Sequence, residues 1–177
     1  MGRLYTRSGD SGSTTCFFAG KPLRVPKSHP VVEALGSIDE AVSFIGLARS
    51  FLPGGDVYGE VVEVLRWLQR LLFNIGFSLS TGEARVSEGD VRRMEELIDR
   101  YYGEPLRRFI LPSGPPYIAG LHVARAVLRR AERKLVAAMG EGFSVDPVVL
   151  KAVNRASDLL FAIAISLARA EGVLEEV

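Results

Sequence analysis

Three arginines stand four residues apart in one stretch of this chain, Arg125, Arg129 and Arg133, with His122 one turn earlier and Glu132 close by. On a helix such residues share a face, and like charges at that spacing cost an isolated helix about 0.2–0.5 kcal/mol per pair. An anion or carboxylates lying against the column would offset this, since the planar guanidinium fork suits phosphate and carboxylate equally. A solvated face with ion pairs to neighbouring helices would explain the same spacing.

A second constellation opens the chain: Tyr5-Thr6-Arg7-Ser8-Gly9-Asp10-Ser11-Gly12-Ser13-Thr14-Thr15. Glycines let backbone N–H groups approach a phosphate, and hydroxyls add donors. No Gly-Lys-Ser/Thr follows and no strand precedes it, so it is not a P-loop. Lys21, Arg24 and Lys27 bring positive charge just downstream. The competing reading is a flexible polar tail. A third set is polar residues inside apolar helical stretches: Asp39 and Glu40, then Asn154, Ser157 and Asp158. Buried polar groups need partners. A structural hydrogen-bond network would account for them, and Asp39 would be a natural carboxylate for an arginine of the column. We expect Arg125 to pair with Asp39 and Arg129 to contact a phosphate chain.

These groups need elements to position them. Residues 1–29 lack helical periodicity and read as loop, with at most a short strand over 15–18. A helix is expected from Pro30, with Val32, Leu35, Ile38, Val42 and Ile45 inward, ended by Pro53-Gly54-Gly55. A second runs from about 57 to 80 on Val61, Val64, Leu65, Leu68, Leu72 and Ile75. The third follows a Ser87/Asp90 capping box, buries Val91, Met94, Leu97 and Ile98, and stops near Gly103. The fourth, about 116–139, carries the arginine column beside an apolar face of Leu121, Ala124, Val127, Leu128, Ala131 and Leu135. The fifth starts at Asp146-Pro147, an N-cap and N1 pair, and reaches about 170. No strand alternation of weight, repeat or linker intervenes. The expectation is an all-α, single-domain, five-helix up-and-down bundle over 30–171 with a nucleotide-binding segment over 1–29.

Bulk properties bound the function. The chain has 177 residues and a net charge of +1, which argues against a protein that coats nucleic acid, so any anion site is local. Cys16 is the single cysteine, which precludes an internal disulfide and fits a reducing, cytoplasmic compartment. The apolar stretch over 159–168 is too short to span a bilayer. There are eighteen Arg against four Lys and only three Asn plus Gln, a bias that a hot environment or genomic base composition would each produce. Two other classes fit parts of the pattern. In one, the arginine column is a module for RNA or an acidic protein, which calls for a more basic balance. The other is a non-enzymatic assembly bundle, which leaves the Gly/Thr run without a purpose.

Taken together, the segments resemble the PduO-type ATP:cob(I)alamin adenosyltransferases, a family with a cobalamin adenosyltransferase or ferritin-like helical fold. The family's Y-T-R-x-G-D-x-G-x-T corresponds to Tyr5 through Thr14, and its lysine followed by E-A-x-G-x-x-D-E to Lys27 and Glu33 through Glu40. F-I-L-P-x-G corresponds to Phe109 through Gly114, R-x-x-x-R-R-A-E-R to Arg125 through Arg133, and N-R-x-S-D-x-L-F to Asn154 through Phe161. The family's D-E-L-N reads Asp39-Glu40-Ala41-Val42 here, so its asparagine is lost, and N-R-L-S-D has Ala156 in place of leucine.

The resemblance implies transfer of the 5′-deoxyadenosyl group of ATP to the cobalt of cob(I)alamin, giving adenosylcobalamin and triphosphate. It implies a homotrimer with sites between subunits, Mg²⁺ on the triphosphate with no protein metal ligands assigned, a cobalamin reductase as a further partner, and no nucleic-acid or membrane partner. The implied ATP contacts are Tyr5, Thr6, Arg7, Gly9, Asp10, Gly12, Ser13, Thr14, Lys27, Arg129, Glu132, Arg133 and Asn154. The implied cobalamin contacts are Asp39, Phe109, Arg125 and Asn154. Arg125, Arg129, Asp39 and Phe109 carry the catalytic roles, Phe109 as the apolar residue that displaces the lower axial ligand so that the cobalt becomes easier to reduce. Because cob(I)alamin is itself the nucleophile, no Ser/His/Asp or Cys/His set is required. The protein must align C5′ with cobalt and stabilise the leaving triphosphate.

Overall fold

The computed structural model describes residues 5–18 and 21–177. Five helices follow a β-hairpin: β1 Ser13–Phe18, β2 Lys21–Pro26, α1 Pro30–Phe51, α2 Asp56–Thr81, α3 Glu88–Tyr102, α4 Pro116–Gly140 and α5 Pro147–Ala170. The helix ends follow local chemistry. His29 caps α1 through Nδ1, accepting from the Val31 N–H at 3.2 Å, with Pro30 in the first turn. Ser87 and Asp90 form the reciprocal capping box of α3, and the Asp146 carboxylate caps α5 by accepting from Val148 N at 2.9 Å. Gly82 ends α2 in the left-handed region at φ 78°, where a side chain would be strained.

Polar cross-links fix the directions of the helices. Lys134 and Arg130 of α4 reach Glu33 and Glu40 of α1, while Gly120 lies beside Ala48, so α1 and α4 are antiparallel. A Cβ on Gly120 would sit 3.2 Å from that of Ala48, so the two small residues permit this close crossing. Glu60 pairs with Arg100, and Arg93 stacks on Trp67, which sets α3 against α2. Glu132–Asn154 and Tyr117–Glu171 run α4 against α5. The result is strict up-and-down alternation. The core is Leu, Ile, Val and Ala from all five helices, with Leu65, Leu68, Leu72, Ile75, Met94, Leu121, Leu128, Leu135, Leu159 and Leu160 fully buried. Burial of that order is the main favourable term in folding.

Two expectations are corrected. The inward stripe of α1 is Val31, Ala34, Ile38, Ala41, Val42, Ile45 and Ala48, while Val32 and Leu35 sit at its flank, half-buried. Small alanines, invisible to a search for large apolar residues, hold the face against α4. The N-terminal stretch is also not merely loop. Its antiparallel ribbon pairs Ser13 with Pro26 and Phe17 with Pro22, and Cys16 and Val25 anchor it by burying against the helices. Two prolines in β2 obscure the strand pattern, since proline supplies no ladder N–H and is confined to strand edges and ends.

Candidate active site

The α4 column divides by depth. His122 is buried, Arg125 is half-buried, and Arg129 and Arg133 are exposed. Arg125 and Arg129 line a hollow of about 160 Å³ with Ser157, Asp158 and Phe161 of α5. On the other flank His122, Arg125, Arg130 and Arg133 line a shallower cleft with Pro112. Phe161 is the shared wall: the His122 ring meets it edge-on at 6.2 Å, and the Arg125 guanidinium lies 5.6 Å from its centroid. Among the described residues Arg125, Arg129 and Arg133 make no ion pair, and Arg125 Nε is buried without a hydrogen-bond partner. Ion pairing to a neighbouring helix is thus the state of Arg130, held by Glu40 and by Ser37 Oγ at 3.2 Å, whereas Arg129 and Arg133 are solvated without an ion pair among the described residues.

Burial and proximity set the charges here. Desolvation, then the neighbouring Arg125, holds His122 at about 4, so its imidazole is neutral at physiological pH. Desolvation, then Arg129, lowers Arg125, whereas desolvation raises Asp158 against the opposing pull of Arg155 and Arg129. Asn154 donates to Glu132 Oε1 at 2.9 Å and accepts from Arg155 at 2.7 Å. Ser157 spends its hydroxyl on the Asn154 carbonyl, one turn back.

The N-terminal segment is folded back on β2. Arg24 donates to Ser13 Oγ at 2.9 Å and to the Ser8 carbonyl, Lys27 N–H donates to Gly12 O at 2.9 Å, and Gly12 N–H donates to Gly9 O at 3.1 Å. Thr6 and Ser8 share a hydroxyl hydrogen bond at 2.8 Å, as Ser11 and Ser13 do at 3.2 Å. The Lys27 ammonium lies so close over Gly9 that a Cβ there would be 3.1 Å from Nζ. Arg7 adopts φ 61° with its guanidinium 5.3 Å from the Tyr5 ring. The loop is thus a ring of hydroxyls and backbone edged by Arg7, Arg24 and Lys27. Tyr5, Asp10 and Gly12 face solvent, and Thr14 is half-covered. Phosphate is the chemistry such a loop fits. Among the described residues no group of three or more His, Cys, Asp or Glu comes together as a metal site.

Within one chain the expected site residues do not all meet. Asp39 is exposed in a groove between α1 and α2 lined by Leu35, Ile38, Val42, Leu72 and Phe73, and it lines no part of the hollow that holds Arg125. The expected Arg125–Asp39 pair is therefore not made inside the chain. Phe109 is 87% exposed, which excludes a core role. Its loop is pinned by the last residues: Val177 N–H donates to Phe109 O and Leu111 N–H to Glu175 O, each at 2.9 Å, and Ser113 Oγ donates to Glu175 at 3.2 Å. The sequence gives no hint of that tail pairing, since short isolated bridges carry no periodicity. Arg155 carries no signal of its own in the sequence, because a charged residue beside Asn154 on an amphipathic helix is ordinary.

Fold and site together define a five-helix bundle with a candidate anion-binding site. Comparison with known proteins sharpens this. The sequence pattern of the cobalamin adenosyltransferase family matches residues 4–167. The corrinoid adenosyltransferase of Citrobacter freundii is 36% identical over 173 residues, covering 93% of this chain and 94% of that protein. The one from Mycobacterium bovis is 40% identical over 172 residues, 90% of this chain and 85% of its own. Among solved structures, a phenylalanine-to-histidine variant of the PduO-type ATP:corrinoid adenosyltransferase from Lactobacillus reuteri, complexed with cobalamin and ATP, superposes with a TM-score of 0.83 at 32% identity, over 99% of this chain and 95% of that one. An arginine-to-lysine variant of the same enzyme with ATP gives 0.79 at 33%, with 98% of each chain covered. The chain belongs to the cobalamin adenosyltransferase family. Its activity is the ATP-dependent adenosylation of cobalamin.

Proposed function

We propose that each catalytic centre forms between two copies of the chain in a homotrimer. The observation that carries this is the unmatched pair: a half-buried Arg125 with an orphaned Nε, and an Asp39 that makes no ion pair among the described residues and lines an apolar groove elsewhere on the same molecule. A desolvated guanidinium without a carboxylate is costly, and a second copy laying its α1/α2 groove against the α4/α5 hollow supplies one. In this arrangement the N-terminal loop of one subunit, with Tyr5, Thr6, Arg7, Gly9, Asp10, Gly12, Ser13, Thr14 and Lys27, wraps the triphosphate and its Mg²⁺. Arg129 and Arg133 of the neighbour reach the same phosphates, and Glu132 and Asn154 hold the nucleoside.

The step is a displacement at C5′. The cobalt(I) electron pair forms the Co–C bond as the C5′–O bond breaks, and that bonding pair leaves with the triphosphate. The chain's cations stabilise the growing charge on the leaving oxygens, the largest single contribution such a site can make. Phe109 projects from its pinned loop towards the lower face of the corrinoid and excludes the axial ligand. An external reductase brings the cobalt to its lowest state, and the enzyme works in the cytoplasm. No helix of the described residues is long and apolar enough to cross a membrane.

The test is a double-mutant cycle on assembly, measured by sedimentation. Arg125→Ala and Asp39→Ala are each expected to weaken association, by roughly 3–5 kcal/mol if the pair is fully desolvated. The double variant is expected to be little worse than either. Strictly additive losses, or a fully active monomer of the wild type, would overturn the arrangement.

A further inference from the structure

A chain of hydrogen bonds crosses three helices behind the hollow. Glu95 of α3 accepts from Arg155 Nε at 2.8 Å, Arg155 Nη1 donates to Asn154 Oδ1 at 2.7 Å, and Asn154 Nδ2 donates to Glu132 Oε1 of α4 at 2.9 Å. Arg155 Nη1 also lies 3.7 Å from Asp158 Oδ2, one turn on, which lines the hollow with Arg125 and Arg129. We propose that Arg155 is a positioning residue for the nucleotide: it fixes the Asn154 amide and, through it, the Glu132 carboxylate. This rests on the assignment of Asn154 and Glu132 to ATP.

An asparagine amide can present either end to a neighbour, so its orientation is set by what the other end meets. A guanidinium is donor only, so the atom facing Arg155 must be the carbonyl oxygen. That forces the NH₂ group towards Glu132, where it takes one carboxylate oxygen and leaves the second for the nucleotide. Glu95 fixes the guanidinium from the far side, tying the site to α3, an element that contributes no residue to it directly. Arg155 also keeps a positive charge beside Asp158. Desolvation pushes that carboxyl upward, and a charged Asp158 is what balances Arg129 across the hollow. Arg155 aims two separate nitrogens, Nε and Nη1, at acceptors on two helices in fixed directions, which a planar fork does and a single ammonium nitrogen does not.

The test uses the full-length enzyme with ATP affinity by calorimetry, ATP KM and kcat at saturating cob(I)alamin, and a thermal melt. Arg155→Met is expected to raise the ATP Kd and KM about tenfold, the scale of one charge-assisted hydrogen bond, while kcat changes little. Arg155→Lys keeps the charge but can meet only one of its two partners, and should fall between, raising Kd a few-fold. Arg155→Met combined with Asn154→Ala should be no worse than Asn154→Ala. Ser87→Ala, which removes the α3 capping box away from this chain of bonds, lowers the melting temperature without reproducing the loss of affinity, which separates positioning from stability. Should Arg155→Met not fold, the lysine variant carries the test, and a wild-type Kd in it overturns the proposal. So does a folded Arg155→Met with unchanged ATP affinity, or an additive double variant, while Asn154→Ala alone impairs binding. Unchanged affinity in Asn154→Ala as well would instead overturn the nucleotide assignment itself.

Discussion

Phe109→Ala separates a functional phenylalanine from a structural one. Were Phe109 plain core, its loss would cost about 3–5 kcal/mol. With 87% of its surface exposed, only roughly an eighth of the approximately 1.5–3 kcal/mol that full burial of a phenylalanine is worth can be at stake, about 0.2–0.4 kcal/mol. The backbone bond from Val177 N–H to Phe109 O survives the substitution. At about 2–4 °C per kcal/mol for a chain of this size, the melting temperature should fall by about 1 °C. The same apolar surface is instead available to the corrinoid, and its loss there should slow adenosylation about ten- to a hundredfold. The assay pairs a thermal melt with the adenosylation rate and the electron paramagnetic resonance of cob(II)alamin in the presence of ATP. The four-coordinate signal should weaken in the variant. A stable variant with wild-type rate and signal would refute the role, and a drop of several degrees would show that Phe109 is buried in the assembly instead.

Other outcomes follow from the same geometry. Removing residues 1–12, ahead of the hairpin, should abolish ATP binding by calorimetry and leave helical circular dichroism unchanged. His122 is depressed to about 4 in the fold against an ordinary 6.5, so the unfolded chain takes up its proton first. Stability is therefore complete above about pH 6.5 and falls towards pH 4, by about 2 kcal/mol between pH 7 and 5, and His122→Leu should flatten that dependence in urea titrations. Ser87→Ala removes the α3 capping box and should cost about 1 kcal/mol in chemical denaturation with ATP KM unchanged, since the cap lies apart from the site.

The helices were legible because their ends carry strong chemistry. Pro30, the Ser87/Asp90 box and Asp146-Pro147 stand where the structure starts α1, α3 and α5. The large-residue stripes of α2 and α4 lie buried as their spacing dictates, whereas the α1 face depends on alanines whose small size matters only once Gly120 of α4 is known to press on Ala48. The arginine column was legible as a column, but its division into a buried end at His122 and an exposed end at Arg133 depends on how α5 lies across it. The Arg155 relay and the tail bonds to the Phe109 loop join residues far apart in sequence without periodicity, so no local pattern reports them. The expected Arg125–Asp39 pair is not made within the chain, where the two residues line separate hollows.

Subunit complementation tests the shared site most directly. Lys27→Ala damages the N-terminal loop and Arg129→Ala the α4 column, both on exposed side chains that leave the fold intact. Each variant alone should be nearly inactive. Refolded or co-expressed together, they should form mixed oligomers in which one type of interface joins an intact Lys27 loop to an intact Arg129 column, and ATP-dependent adenosylation of cob(I)alamin should return to a substantial fraction of the wild-type rate. If mixed oligomers form, as tagged subunits can verify, and activity stays at the level of the separate variants, the loop and the column belong to one chain's site and the account is wrong.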